Sequence, residues 1–287
     1  MRITLVVVLL IASGLVSHDQ PPRCSVVGDL EIRPITSKVF NNTRMLRIWL
    51  PPKYNDPQSR STRYPVLYLN DGQNLFDACT SIFNSKEWKV DETATELIES
   101  GKIPPLIIVG IDNAGKRDRP KEYLPFPDDT LSPPNPEVLG RLYPQFLLNE
   151  VMPLVDREYR TERDPTLTGL GGSSYGAGIA LYTVMTHPHI FGRLLLESPS
   201  LYAHDDYLIH EAEHFTQWPA RVYVGVGSVQ EPVDDVHRLR DIILRSGLSD
   251  SRLRVIEVPG AGHDEDAWAT RLPGALKFLY RARASDR

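Results

Sequence analysis

Apolar residues along this chain fall into short runs, and the runs are of two kinds. Tyr64-Pro65-Val66-Leu67-Tyr68-Leu69, Leu106-Ile107-Ile108-Val109-Gly110-Ile111, Leu194-Leu195-Leu196 and Val222-Tyr223-Val224-Gly225-Val226 are nearly continuous. Such runs predict strands buried on both faces. Val26–Arg33 and Arg44–Leu50 mix polar with apolar positions, as an edge pair does, and Pro51-Pro52 ends the second. Leu253–Val258 reads as one more strand. Other stretches carry helical spacing. In Trp88–Glu99 the apolar side holds Trp88, Val90, Ala94, Leu97 and Ile98, and Gly101 stops the helix. A long amphipathic helix is predicted from Glu137 to Tyr159 with prolines in its middle, and others over Ser174–His187 and Val233–Ser246. The last carries Trp268, Leu272, Leu276 and Leu279 at near fourfold spacing.

From residue 65 onward strands alternate with helices, after two strands that read as antiparallel. This order predicts an α/β fold, with a mostly parallel central sheet, helices on both faces and an antiparallel N-terminal strand pair. Reactive groups in such sheets gather at the carboxyl ends of the strands. The 287 residues show no break in composition, so one domain over 18–287 is expected. Residues 1–17 read instead as a signal peptide: Arg2 precedes an apolar stretch from Ile3 to Ile11, and Ala12-Ser13-Gly14 supplies small residues for cleavage after Gly14 or Ser17. That stretch is short for a bilayer span, so no stable membrane insertion is expected once it is removed. A secreted or periplasmic location follows. The net charge of −5, with no Lys/Arg block interleaved with aromatics, argues against nucleic acid as a partner. Export permits a disulfide between the two cysteines, Cys24 and Cys79; two unpaired structural thiols are the alternative.

Gly172-Ser173-Ser174-Tyr175-Gly176 lies between the strand-like Leu167–Leu170 and a small-residue helix start. Gly-x-Ser-x-Gly in that context is a nucleophile elbow, a turn so sharp that side chains two before and two after the serine would collide with backbone. Ser174 is the expected nucleophile. A serine hydroxyl needs a base, and His263 follows the last predicted strand in Gly260-Ala261-Gly262-His263. The carboxylate that orients the base belongs in Gly227–Asp235. Glu231 is the first candidate because it precedes the helix; Asp234 is the other, with helix capping as its competing use. Oxyanion donors are expected from the N–H of Tyr175, after the serine, and of Gln73, in the Asp71-Gly72 turn after the first buried strand. His210-Glu211-Ala212-Glu213-His214 satisfies a zinc-protease pattern but offers no third ligand in sequence, so no metal or cofactor is expected.

Several stretches together resemble the putative esterase family of α/β-hydrolases. They are Val66–Asp77 with its Asn70-Asp71-Gly72-Gln73-Asn74 core, Glu87-Trp88 with Asp91-Glu92, Arg119 with Glu122-Tyr123, Tyr159-Arg160-Thr161, the elbow, and Ser198-Pro199-Ser200. The family includes feruloyl, acetyl-xylan and siderophore esterases, S-formylglutathione hydrolase and mycolyltransferases. The resemblance implies the α/β-hydrolase fold, with Ser174 as nucleophile, His263 as base, and Gln73 and Tyr175 as oxyanion donors. The family acid usually stands three residues after the strand-end glycine; Gln230 occupies that place here, and Glu231 comes one later. The expected function is a secreted serine esterase acting on a small-molecule or polysaccharide ester, foremost an acylated carbohydrate. Trp88, Tyr123 and Tyr202 are candidate cleft residues. A siderophore esterase is the alternative and would need cationic groups at the cleft. Arg117 and Arg119 are candidates, with Glu122 as a competing partner for Arg119. A non-catalytic binding protein on a hydrolase frame is the alternative of another class.

Overall fold

A computed structural model describes residues 24, 26–83, 85–128 and 137–281. The segment read as a signal peptide lies outside them. Eight strands form one sheet in the order β1-β2-β4-β3-β5-β6-β7-β8. They are β1 (Asp29–Ser37), β2 (Asn42–Leu50), β3 (Val66–Asn70), β4 (Ile107–Ile111), β5 (Thr168–Ser173), β6 (Arg193–Glu197), β7 (Arg221–Gly227) and β8 (Leu253–Val258). β1 pairs antiparallel with β2, and β2 with β4; every other pairing is parallel.

The continuous apolar runs form four of the central strands, β3, β4, β6 and β7, with the glycine-rich β5 between β3 and β6, and alternate residues in them feed two cores. Val66, Tyr68, Ile107, Val109, Leu194, Leu196, Val222 and Val224 face one core. Leu67, Leu69, Ile108, Leu195 and Tyr223 face the other. The period of two distributes side chains to both faces, and both faces are dry because helices cover them. Helices α1 (Val90–Glu99) and α8 (Glu265–Leu279) cover the second core. The first is covered by α3 (Tyr143–Phe146), α4 (Met152–Glu158), α5 (Tyr175–Thr186), α6 (Ala203–His214) and α7 (Val233–Arg245); the short α2 (Arg119–Tyr123) precedes α3.

Two helices differ from their sequence reading. The first begins at Val90, not Trp88, because Lys89 is left-handed at φ 54°. Trp88 instead donates its N–H to the Asn74 carbonyl at 2.9 Å. The helix expected over Glu137–Tyr159 is three pieces: α3, a π turn over Leu147–Val151, and α4. Pro153 has no N–H for the carbonyl four residues earlier, and the widened turn accommodates that loss. Cys24 and Cys79 form a disulfide. No helix of the described residues is long and apolar enough to cross a membrane.

Candidate active site

Strand β5 runs straight into the elbow. Ser174 follows its last residue and precedes the first residue of α5, with φ 54° and ψ −127°. Two glycines make this turn possible. A Cβ on Gly172 would lie 2.7 Å from the Gly176 carbonyl carbon, and one on Gly176 would lie 2.7 Å from Asp71 Oδ2. Neither neighbour can give way, since one is backbone and the other is a clamped carboxylate. The turn is further tied to β6 by the Ser174 N–H, which donates to the Glu197 carbonyl at 2.9 Å. The Ser174 hydroxyl lies 3.3 Å from that of Ser200.

Ser174 and His263, far apart in sequence, line one open cleft of about 200 Å³ together with Asp71, Asn74, Phe83, Arg119 and Trp268. His263 comes from the loop after β8. Its Nδ1 lies 3.1 Å from Glu231 Oε2. The Glu231 side chain is fully buried, whereas the imidazole is about one-third exposed at 35%. Gln230 is left-handed at φ 57°, and this kink turns the next residue inward. Asp234 is exposed in the first turn of α7, so the acid against His263 is Glu231. With Nδ1 engaged, Nε2 is the imidazole nitrogen left for the cleft.

Gln73 lies in the 3-10 turn Gly72–Asn74 after β3, between the cleft residues Asp71 and Asn74. Its side-chain amide pairs reciprocally with the Asn113 backbone. Nε2 donates to the Asn113 carbonyl at 3.0 Å, and Oε1 accepts the Asn113 N–H at 3.1 Å. Asp71 is left-handed at φ 61°. Arg119 clamps its carboxylate from both nitrogens at 2.7 and 2.8 Å, and Asn113 Nδ2 adds a third donor at 2.6 Å. Arg119 also donates to the Ser173 carbonyl at 3.3 Å, joining this turn to the elbow. Tyr175 is the first residue of α5, so its N–H is one of the unpaired donors of a helix start.

None of the three candidate cleft residues lines the cleft of Ser174 and His263, but Tyr123 and Tyr202 stand at the neighbouring pocket around Tyr175. Trp88 is buried behind the cleft wall, with its ring 5.6 Å from that of Trp268, which lines the cleft instead. The cause is the left-handed Lys89, which turns the chain inward before α1 begins. Tyr123 is buried and lines a separate, narrow apolar pocket beside the elbow, with Phe126, Tyr175, Ser200, Tyr207 and Leu208. Tyr202, at 39% exposed, stands just before α6 without a capping bond, and its side chain meets Tyr175 beside the elbow. The arginines also differ from expectation. Arg119 pairs with Asp71, while Glu122 pairs with Arg44 at 2.7 Å; Arg117 stands exposed beside Asp118. Among the described residues, His210 and His214 join no cluster of three metal-ligating side chains.

Residues that sequence reasoning missed lie beneath the His263–Glu231 pair. The Ser198 hydroxyl donates to Glu231 Oε1 at 2.6 Å. Trp268 donates its indole N–H to that hydroxyl at 3.0 Å, and packs edge-on against the His263 ring at 5.4 Å. The only sequence signal was the Ser-Pro-Ser triplet. Burial raises the Tyr175 hydroxyl well above the usual phenol range, and its bond to Asp128 raises it further. Asp264, which caps α8, is held below the usual carboxylate range by the Ala267 N–H and then by Lys86.

Residues 37–279 match the family model described as Putative esterase. YbbA of Bacillus subtilis (strain 168) is 23% identical over 252 residues, which cover 83% of this chain and 92% of that one. A solved ferulic acid esterase superposes with a TM-score of 0.68 at 18% identity, over 88% of this chain and 98% of its own. The enterobactin esterase of Shigella flexneri superposes with a TM-score of 0.67 at 19% identity, over 90% of this chain and 61% of its own. The structural likenesses establish a shared α/β-hydrolase fold, and the match over most of the sequence establishes the family: the chain belongs to the Putative esterase family.

Proposed function

We propose that this chain is an exported serine esterase that hydrolyses carboxylic esters through an acyl-enzyme, with an acylated carbohydrate as substrate. One observation carries the reading. A serine held at positive φ on an elbow shares a cleft with a histidine whose far nitrogen meets a buried carboxylate. In this mechanism His263 Nε2 takes the Ser174 proton as Oγ attacks the ester carbonyl carbon. The negative charge moves to the carbonyl oxygen, which the N–H groups of Gln73 and Tyr175 receive, a contribution of roughly 3–4 kcal/mol per donor. As the tetrahedral species collapses, the ester C–O bond breaks and the alcohol leaves with the proton from His263. Water, deprotonated by the same nitrogen, then releases the acid and restores Ser174. Glu231 holds the Nδ1–H tautomer throughout.

The apolar pocket beside the elbow suits the acyl part, since Tyr123, Phe126 and Tyr207 give it an aromatic wall. Likeness to a ferulic acid esterase supports that choice. An anionic ferric siderophore fits less well. Arg119, the buried cation at the cleft, is already neutralised by Asp71.

Ser174→Ala tests the mechanism. The variant is expected to keep its Tm and to lose p-nitrophenyl acetate turnover by at least about 10³-fold. Turnover near wild type would reject the reading. Feruloylated and acetylated xylan, run beside a ferric siderophore, then test the substrate class.

A further inference from the structure

Resting on the serine-esterase reading, we infer that Ser198 is the positioning residue of the catalytic acid: its hydroxyl, locked in one direction by two donors, holds Glu231 ionised and aimed at His263.

The direction of the lock follows from counting hydrogen-bonding capacity. A serine hydroxyl has one proton to give and two lone pairs to receive with. Trp268 Nε1 donates to Ser198 Oγ at 3.0 Å, and Arg271 Nη2 donates to it at 3.3 Å. Both receiving positions are taken by groups that cannot accept. The one remaining valence is the O–H, and the acceptor in reach is Glu231 Oε1 at 2.6 Å, a short, charge-assisted bond. A protonated Glu231 would offer its own O–H to a hydroxyl with no free lone pair. The arrangement therefore favours the carboxylate, whose second oxygen receives the Nδ1–H of His263. Neither donor can drift. The indole is packed on the His263 ring, and the Arg271 guanidinium is anchored by Nε to Glu197 Oε2 at 2.7 Å, with both side chains buried. The charge of Arg271 is met by Glu197, which also faces Glu231, so what this hydroxyl brings to the acid is its O–H donor and not a net positive charge.

The backbone is bent to place the group. Ser198 adopts φ 45°, a region a serine enters only under constraint. Its N–H is tied to the Gly225 carbonyl at 2.7 Å. The preceding residue, Glu197, gives its carbonyl to the Ser174 N–H. Two adjacent residues at the end of β6 thus fix the elbow with the backbone of one and the acid with the side chain of the other. A glycine would satisfy the φ without strain. That a serine stands there is accounted for by its hydroxyl.

This gives a clean test, because Ser198→Gly removes the hydroxyl while relieving the backbone. The full chain and its S198G, S198A, E231Q and S174A variants are compared on p-nitrophenyl acetate across pH. S198G is expected to fold with a Tm no more than several degrees lower, the relief at φ partly offsetting the lost hydrogen bonds, to lose about 10- to 100-fold in kcat, and to leave KM within about twofold. Losing the donor to Glu231 makes the carboxylate–imidazole pair easier to protonate. The acidic limb of kcat/KM therefore moves up by about half a unit or more. In the E231Q background, S198G costs nothing further, since the group it positions is gone. Wild-type kcat and an unmoved limb in S198G, with turnover lost in S174A, would overturn the role of Ser198 alone. So would a kcat loss that adds to that of E231Q. Full turnover in S174A would remove the serine-esterase reading itself.

Discussion

At the scale of single residues, the site depends on side chains displayed from uncommon backbone. Ser174, Ser198 and Gln230 all have positive φ, and each conformation costs on the order of 1–3 kcal/mol that the surrounding contacts must offset. The return on Gln230 is the direction of its successor. The sequence favoured Glu231 over Asp234 only by its place before the helix, since both lie in one loop and local spacing carries no information about a left-handed kink. The geometry separates them, and so do variants. Glu231→Gln is expected to lower kcat by about 10²–10⁴-fold, because a neutral amide neither fixes the tautomer nor stabilises the imidazolium. Asp234→Asn leaves kcat within about twofold, since its side chain is exposed at the start of α7. Comparable losses in the two would mean that the acid has been misassigned.

At the scale of elements, the turn after β3 is held from three sides. Arg119 grips Asp71, Asn113 pairs with the Gln73 amide, and the Thr80 hydroxyl donates to the Gln73 carbonyl at 2.7 Å. The third tie belongs to the loop that Cys79 anchors to Cys24 across a separation of 55 residues. Closing a loop of that length restricts the unfolded chain by about 4 kcal/mol in the chain-entropy description. Cys24→Ser/Cys79→Ser is thus expected to lower Tm clearly. It should also lower kcat modestly, by a few-fold, through the loosened Gln73 turn. Equal Tm values with and without the bridge, measured by thermal denaturation, would show that it closes a loop already ordered. The elements themselves were largely legible: β3, β4, β6 and β7 are apolar runs because both their faces are buried, while the glycine-rich β5 was read from the elbow that follows it. The ties between them were not. Arg119 was weighed against Glu122, three residues away, yet its partner is Asp71, brought next to it by the parallel pairing of β3 with β4.

At the scale of the whole molecule, the fold buries carboxyl groups that do not belong to the cleft, and these link stability to pH. Glu87 is buried with no partner for Oε2 among the described residues. Burial, with the charges of Glu92 and Asp77 added to it, pushes its carboxyl from the usual 4.5 to about 7. Asp91, also buried, is pushed up to about 8 by burial and by its neighbour Glu92, against the pull of the Val27 N–H at 2.6 Å. Nothing in the sequence foretold this, because Glu87 and Asp91 were named there only among the stretches that carry the family resemblance, and spacing says nothing of their burial. The sign of the effect follows from which state holds more protons. Between pH 4.5 and 7 the folded chain keeps a proton on Glu87 that the unfolded chain has released. Its contribution to stability is complete below the lower value and is lost as pH rises through the upper one. The loss is at most about 3 kcal/mol for this group, from its displacement at 1.36 kcal/mol per pH unit. Glu87→Gln has no proton to release, so its stability should fall less between pH 5 and 8.5, and above pH 7 it should exceed that of the wild type. Urea denaturation of both proteins across that range decides the matter. Parallel curves, separated by a constant amount, would mean that Glu87 titrates alike in the folded and unfolded chain.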